Sequence, residues 1–142
     1  MHAPPGLRAR LGPIHHILGE NYRRAICAAR ISACFFSKKN RDEYTRRVFE
    51  ITACGGFLLA ERTPMMLELF PEGSSAEYFA SQAEFVDKAR FYCSNEAARL
   101  RIAARGYERV RAEGHDLFSR MRQWLGDVAR WRAELLRESA AR

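Results

Sequence analysis

The sequence predicts an α/β fold built on a short parallel sheet. Three short runs, Ile31 to Phe36, Phe57 to Ala60 and Glu77 to Ala80, have the length and apolar or aromatic character of buried strands. A segment of helical period follows each run, and turn or capping residues stand between them. Strands alternating with helices imply parallel pairing through right-handed crossovers. Three strands make a thin sheet, so the chain reads as the later part of a larger domain.

Residues 1–18 carry Pro and Gly without a period and read as an irregular segment. From Glu20 to Arg30, Tyr22, Ala25, Ile26 and Ala29 recur at helical spacing ahead of the first strand. The polar loop Ser37-Lys38-Lys39-Asn40 follows that strand. Asn40, with Glu43 three residues on, has the spacing of a capping box and predicts a helix whose stripe is Tyr44, Val48 and Ile51. Cys54-Gly55-Gly56 ends it, since a glycine adopts the left-handed C′ conformation readily. After the second strand, Thr63 and Pro64 read as cap and first position of a short helix that ends at Pro71-Glu72-Gly73. Ser81 and Glu84 give a further capping box, opening a helix through Tyr92.

Two long helices complete the pattern. In the first, Leu100, Ala103, Ala104, Tyr107 and Val110 are expected to line the buried face, with Arg99, Arg101, Arg105 and Arg109 largely away from it. In the second, Leu117, Met121, Trp124, Val128, Trp131 and Leu135 repeat at alternating spacings of four and three, a heptad-like seam. Core packing is the reading such a stripe favours, and a docking surface for another domain is the alternative. The resulting organisation is residues 1–18 irregular, 19–115 an α/β domain and 116–142 an amphipathic helix.

The chain has 142 residues, 24 Lys and Arg against 17 Asp and Glu, and a net charge of +7. The balance is +6 over residues 1–50, −4 over 51–98 and +5 over 99–142. Basic ends attract anions, but the acids interleaved in the last segment fit solvated helix faces equally well. No run reaches the roughly 18 apolar residues of a membrane span, and the start has no apolar signal core. A soluble, cytoplasmic protein is expected. Cys27, Cys34, Cys54 and Cys93 form no CxxC pair and read as buried thiols. His15 and His16 are adjacent and lack neighbours at ligand spacing, so no metal is expected.

In an open α/β sheet, ligands bind beyond the carboxyl ends of the strands. The loops Ser37–Asn40, Glu61–Thr63 and Ala80–Ser81 should meet there. Lys38, Lys39 and Arg41 beside a helix N-terminus could hold an anion, or form an ordinary basic loop. Farther along that helix, Arg47 and Glu50 fall beside the apolar face. They could pair with each other at i, i+3. Alternatively Arg47 holds a phosphate, and the two oxygens of Glu50 accept hydrogen bonds from vicinal ribose hydroxyls.

The stretch from Asn40 to Thr63 closely resembles the CgeB/YkvP-type spore-protein glycosyltransferase-like family, within the group 1 glycosyltransferases. The family's R-x-F-E appears as Arg47 to Glu50, and its A-C-G-G-F-L-L as Ala53 to Leu59. Weaker likeness runs through Glu68-Leu69-Phe70 and Gly106-Tyr107, covering roughly residues 18–120. The resemblance implies the Rossmann-like, donor-binding C-terminal half of a GT-B enzyme, in which two such domains face across a cleft. It implies that Glu50 holds the nucleotide ribose and that Arg47 contacts the diphosphate, with the amides around Arg41 and Asp42, and Lys38, assisting. Asp42 stands where the group often has a second Glu, one methylene longer. The implied donor is a nucleotide-diphosphate sugar, used as substrate without a cofactor or metal. The acceptor is unidentified, as are the catalytic residues. An acceptor-binding N-terminal domain or a separate subunit is the implied partner. A non-catalytic nucleotide-binding or interaction module, a relic of such an enzyme, is the competing expectation. Nucleic-acid binding is not expected, because the aromatics fall on the apolar stripes rather than among the arginines.

Overall fold

The computed structural model describes residues 15–140, together with Gly6 and Arg10. The elements run α1 (Gly19–Ala28), β1 (Ser32–Cys34), α2 (Arg46–Ala53), β2 (Leu58–Glu61), α3 (Pro64–Leu69), β3 (Glu77–Phe79), α4 (Gln82–Ser94), α5 (Glu96–Ala112) and α6 (Leu117–Ala140). The three strands form one parallel sheet in the order β1-β2-β3. Cys34 pairs with Ala60, and Glu61 with Phe79, so all three carboxyl ends lie along one edge.

Side chains alternate across the sheet and supply two cores. Cys34, Leu58, Ala60 and Tyr78 face Ile26 of α1, Val48 and Ile51 of α2 and Met66 of α3. Phe57, Leu59 and Phe79 face Tyr92 of α4 and Ile102 and Ala103 of α5. Burial on both faces explains why the strands read as continuous apolar runs. The result is the short three-layer α/β arrangement of a Rossmann-like half domain.

Several local signals act as their residue types dictate. Thr63 Oγ1 accepts the Met66 N–H at 3.1 Å, with Pro64 as the first helical residue. Ser81 Oγ accepts the Glu84 N–H at 3.1 Å, while the Glu84 carboxylate reaches back to the Ala80 N–H at 2.8 Å. Gly55, at φ 72°, ends α2: its N–H bonds Thr52 O, and the Gly56 N–H bonds Ile51 O, the paired bonds of a Schellman motif. In β3, Tyr78 is fully buried and donates to the carbonyls of Met66 at 2.7 Å and Phe70 at 2.5 Å.

Four expectations are corrected. The Asn40–Glu43 capping box does not form, and α2 begins only at Arg46. Residues 38–41 make a turn instead. The Ser37 hydroxyl takes the Asn40 N–H, Ser37 O takes the Asp42 N–H, and Arg41 adopts φ 54°. The Glu43 carbonyl is tied to Thr63 Oγ1 at 2.7 Å, which holds the segment extended toward a distant loop. Tyr44 is consequently an exposed loop residue rather than part of the α2 stripe.

The buried face of α5 is Ile102, Ala103, Gly106 and Val110, while Leu100, Ala104 and Tyr107 are exposed. Nor do its arginines all turn away: Arg109 donates to the carbonyls of Glu68 and Leu69, and the Arg99 side chain is only 12% exposed. Gly106 sets this rotation. A Cβ there would stand 2.6 Å from Ser75 O, so only glycine lets the helix backbone approach the loop before β3 so closely.

The α6 seam is not core: Leu117, Met121, Trp124, Val128, Trp131 and Leu135 are all exposed. Of the cysteines only Cys34 is buried, and Cys27 and Cys93 are exposed, so the expectation of four buried thiols fails. The irregular reading of residues 1–18 lies mostly outside the described residues; His15 to Leu18 carry no regular structure.

Candidate functional site

Among the described residues, two clefts open at the carboxyl edge of the sheet. The first, about 460 Å³, is bounded by Ala33, Cys34 and Phe35 at the end of β1, by Ser37, Asp42 and Thr45 of the following loop, and by Arg46, Arg47 and Glu50 of α2. Thr45 precedes α2 in extended conformation and makes no side-chain cap bond. The first N–H groups of a helix have no partner within it, so those of α2 stand beside the cleft with the positive end of the helix dipole.

Val48, Ile51 and Thr52 bury one face of α2, which leaves Arg47 exposed and Glu50 at the boundary. The i, i+3 pairing of Arg47 with Glu50, one of the two alternatives the sequence left open, does not form. Glu50 Oε1 lies 2.8 Å from Arg46 Nε, and its Oε2 accepts the Tyr22 hydroxyl at 3.1 Å. Among the described residues, Arg47 makes no ion pair with a carboxylate. Tyr22, read from the sequence only as an apolar position of α1, is thus a second-helix anchor for the carboxylate. Its phenol is pushed above the usual range, first by burial and then by its bond to Glu50. No periodicity could reveal that pairing, because it joins residues 28 apart.

The structure divides the site residues named from the sequence. Asp42, Arg47 and Glu50 share the first cleft. Arg41 is an exposed turn residue, and its N–H is bonded to Lys38 O at 3.3 Å. The Asp42 N–H is likewise committed, to Ser37 O at 3.1 Å. These two amides are therefore not free for an anion; at the start of α2 the Val48 N–H bonds Thr45 O at 3.1 Å, and the Arg46 and Arg47 N–H groups have no partner among the described residues. Lys38 reaches the other way, bonding Glu61 at 3.1 Å on the wall of the second cleft.

That second cleft, about 620 Å³, lies beyond β2 and β3. It draws Lys38, Glu61, Arg62, Ala80 and Ser81 from all three loops expected to converge there. Phe35 borders both clefts. Among the described residues, no group of three or more His, Cys, Asp or Glu side chains is placed to hold a metal ion.

The sequence model of the glycosyl transferase-like family matches residues 9–126, which include both clefts and the whole sheet. The chain belongs to this family. No curated protein and no solved structure matches it. In open parallel α/β sheets generally, ligands bind beyond the carboxyl ends of the strands, the edge at which both clefts lie. The family also gives a sugar donor as the class of substrate. No helix among the described residues is long and apolar enough to cross a membrane.

Proposed function

We propose that this glycosyl transferase-like domain binds a nucleotide-diphosphate sugar in the first cleft. Together with an acceptor-binding N-terminal domain or subunit, it transfers the glycosyl group to an acceptor. One observation carries the reading: on α2, Arg47 stands beside Glu50 without an ion pair among the described residues, at an open cleft where a helix begins. The guanidinium and the first amides of α2 suit a diphosphate. The Glu50 carboxylate suits two neighbouring ribose hydroxyls, which would displace Arg46 from it. That displacement costs little, because Arg46 is 90% exposed and pairs of that kind are weak. Asp42, across the cleft, faces the donor sugar in this reading.

Transfer requires stabilising the charge that develops on the departing diphosphate. Arg47 and the first amides of α2 are suited to that task. The donor is a substrate, and the reading assigns the domain no metal and no cofactor. The motif from Arg47 to Leu59 favours the CgeB/YkvP-type branch of the family, and a cytoplasmic location goes with it.

Isothermal titration of the full chain with uridine, guanosine and adenosine diphosphates tests the proposal. One of them is expected to bind, with affinity falling roughly ten-fold or more in Arg47→Ala and Glu50→Ala, since charged hydrogen bonds are each worth about 1.5–3 kcal/mol. Binding unchanged in both variants, or absent for all three nucleotides, would overturn it.

A further inference from the structure

We propose that the second cleft binds an uncharged aromatic ring bearing a hydroxyl group. The cleft is lined on one side by three phenylalanines in mutual contact. The Phe35 ring centre lies 5.3 Å from that of Phe79 and 5.7 Å from that of Phe85, and Phe79 and Phe85 are 5.0 Å apart. Phe79 is buried, but Phe35 leaves 62% of its surface exposed at the cleft. A planar ring laid against this group would cover that surface in edge-to-face or offset contact. The volume, about 620 Å³, lies within the span of small-molecule sites.

Charge narrows the occupant. Arg62 is held by both carboxylate oxygens of Glu72, at 2.5 and 2.6 Å, and Lys38 by Glu61 at 3.1 Å. Arg62 is thus already matched, and the weaker pair of Lys38, 81% exposed, leaves the Glu61 carboxylate facing the cleft, which disfavours a phosphate or carboxylate ligand. A carboxylate oxygen is left over as an acceptor. Glu61, with a side chain only 18% exposed, takes the Phe36 N–H at 2.8 Å and Lys38 on Oε2 alone. Among the described residues, its Oε1 has no hydrogen-bond partner. A hydroxyl on the ring donates to Oε1, while the ring packs on Phe35, Phe79 and Phe85.

Phe35 is the wall between this cleft and the first. On the transferase reading, on which this one step rests, the ring belongs to the acceptor and its site lies across Phe35 from the donor. Ring binding itself stands apart from that reading.

The test titrates the full chain with 4-methylumbelliferone, at mildly acidic pH where its phenol is protonated, and follows the probe's fluorescence. Saturable binding is expected, weakened roughly ten-fold in Phe35→Ala by loss of aromatic contact. Phe35 is exposed, so this variant is expected to keep the fold, and circular dichroism checks that it does. The O-methyl ether of the probe, which cannot donate, is expected to bind several-fold more weakly to the unaltered chain. In Glu61→Gln that preference should shrink. Glu50→Gln should leave ring binding unchanged, which separates this inference from the donor assignment: nucleotide binding can fail while ring binding stands. Absence of saturable binding, equal affinity for phenol and ether, or no effect of Phe35→Ala would each overturn it.

Discussion

Tyr22 of α1 and Glu50 of α2 are joined by a hydrogen bond of 3.1 Å, and this bond fixes the carboxylate from the protein side of the first cleft. On the solvent side, among the described residues, the same carboxylate has only the exposed Arg46. The two partners therefore differ in consequence. Tyr22→Phe is expected to lower nucleoside-diphosphate affinity about three- to ten-fold, the worth of roughly one hydrogen bond. Arg46→Ala is expected to change stability by no more than about 0.5 kcal/mol. Calorimetric titration and urea unfolding measure the two effects.

Gly106 and Gly126 should respond to alanine in opposite directions. At Gly106 the added methyl meets Ser75 O at 2.6 Å and Thr52 Cγ2 at 3.4 Å, where α5 crosses α2 and the loop before β3. Overpacking of that kind costs about 1–3 kcal/mol. At Gly126, in exposed α6, nothing lies within 4 Å, so alanine gains helix propensity of about 1 kcal/mol. Helical content by circular dichroism reads the second change, and the urea midpoint reads the first.

Acid should weaken the fold through Glu72. The Arg62 guanidinium, opposed by partial burial and assisted by Lys88, holds its carboxyl at about 2, below the ordinary value of 4.5. The unfolded chain therefore binds the proton first as pH falls. The stabilisation is complete above about pH 4.5 and is lost progressively toward pH 2. In Glu72→Gln the urea midpoint should depend less on pH across that window. An unaltered slope would show that other carboxylates carry the acid sensitivity.

Thr63 does two jobs with one hydroxyl, accepting from the Met66 N–H and donating to the Glu43 carbonyl. Thr63→Ala should cost about 1–2 kcal/mol through loss of the cap. It should also free the segment from Ser37 to Thr45 that borders the first cleft, so nucleotide affinity falls with stability. Thr63→Ser retains the hydroxyl and should recover most of both. Recovery of stability without affinity would separate the cap from the loop tether.

Much of this architecture was legible because its signals are local. Thr63-Pro64, Ser81 with Glu84, and Gly55-Gly56 each act within one turn of the chain, and the apolar runs need only burial on both sheet faces. Asn40 and Glu43 carry an equally good local pattern, yet Ser37 and Thr63 take the surrounding backbone groups. A tertiary bond to residue 63 cannot be read from the spacing of residues 40 and 43. The face of α5 was misjudged for a related reason: Gly106 packs by lacking a side chain, and no hydropathy pattern marks it. At the candidate site, helical geometry placed Arg47 and Glu50 beside the apolar face of α2, while the roles assigned to them came from the family resemblance. Lys38 turned to the second cleft because Glu61, whose position depends on β2 lying beside β1, offered it a carboxylate.

The last helix carries its tryptophans and leucines outward, and neither core depends on them. Its persistence as a helix rests on short-range contacts, such as Asp116 accepting from the Ser119 amide at 3.0 Å. Warming should therefore fray this arm well before the sheet loosens. The oily stripe also makes the arm adhesive: at high concentration, clumping of the folded chain would begin there, while the two clefts stayed intact.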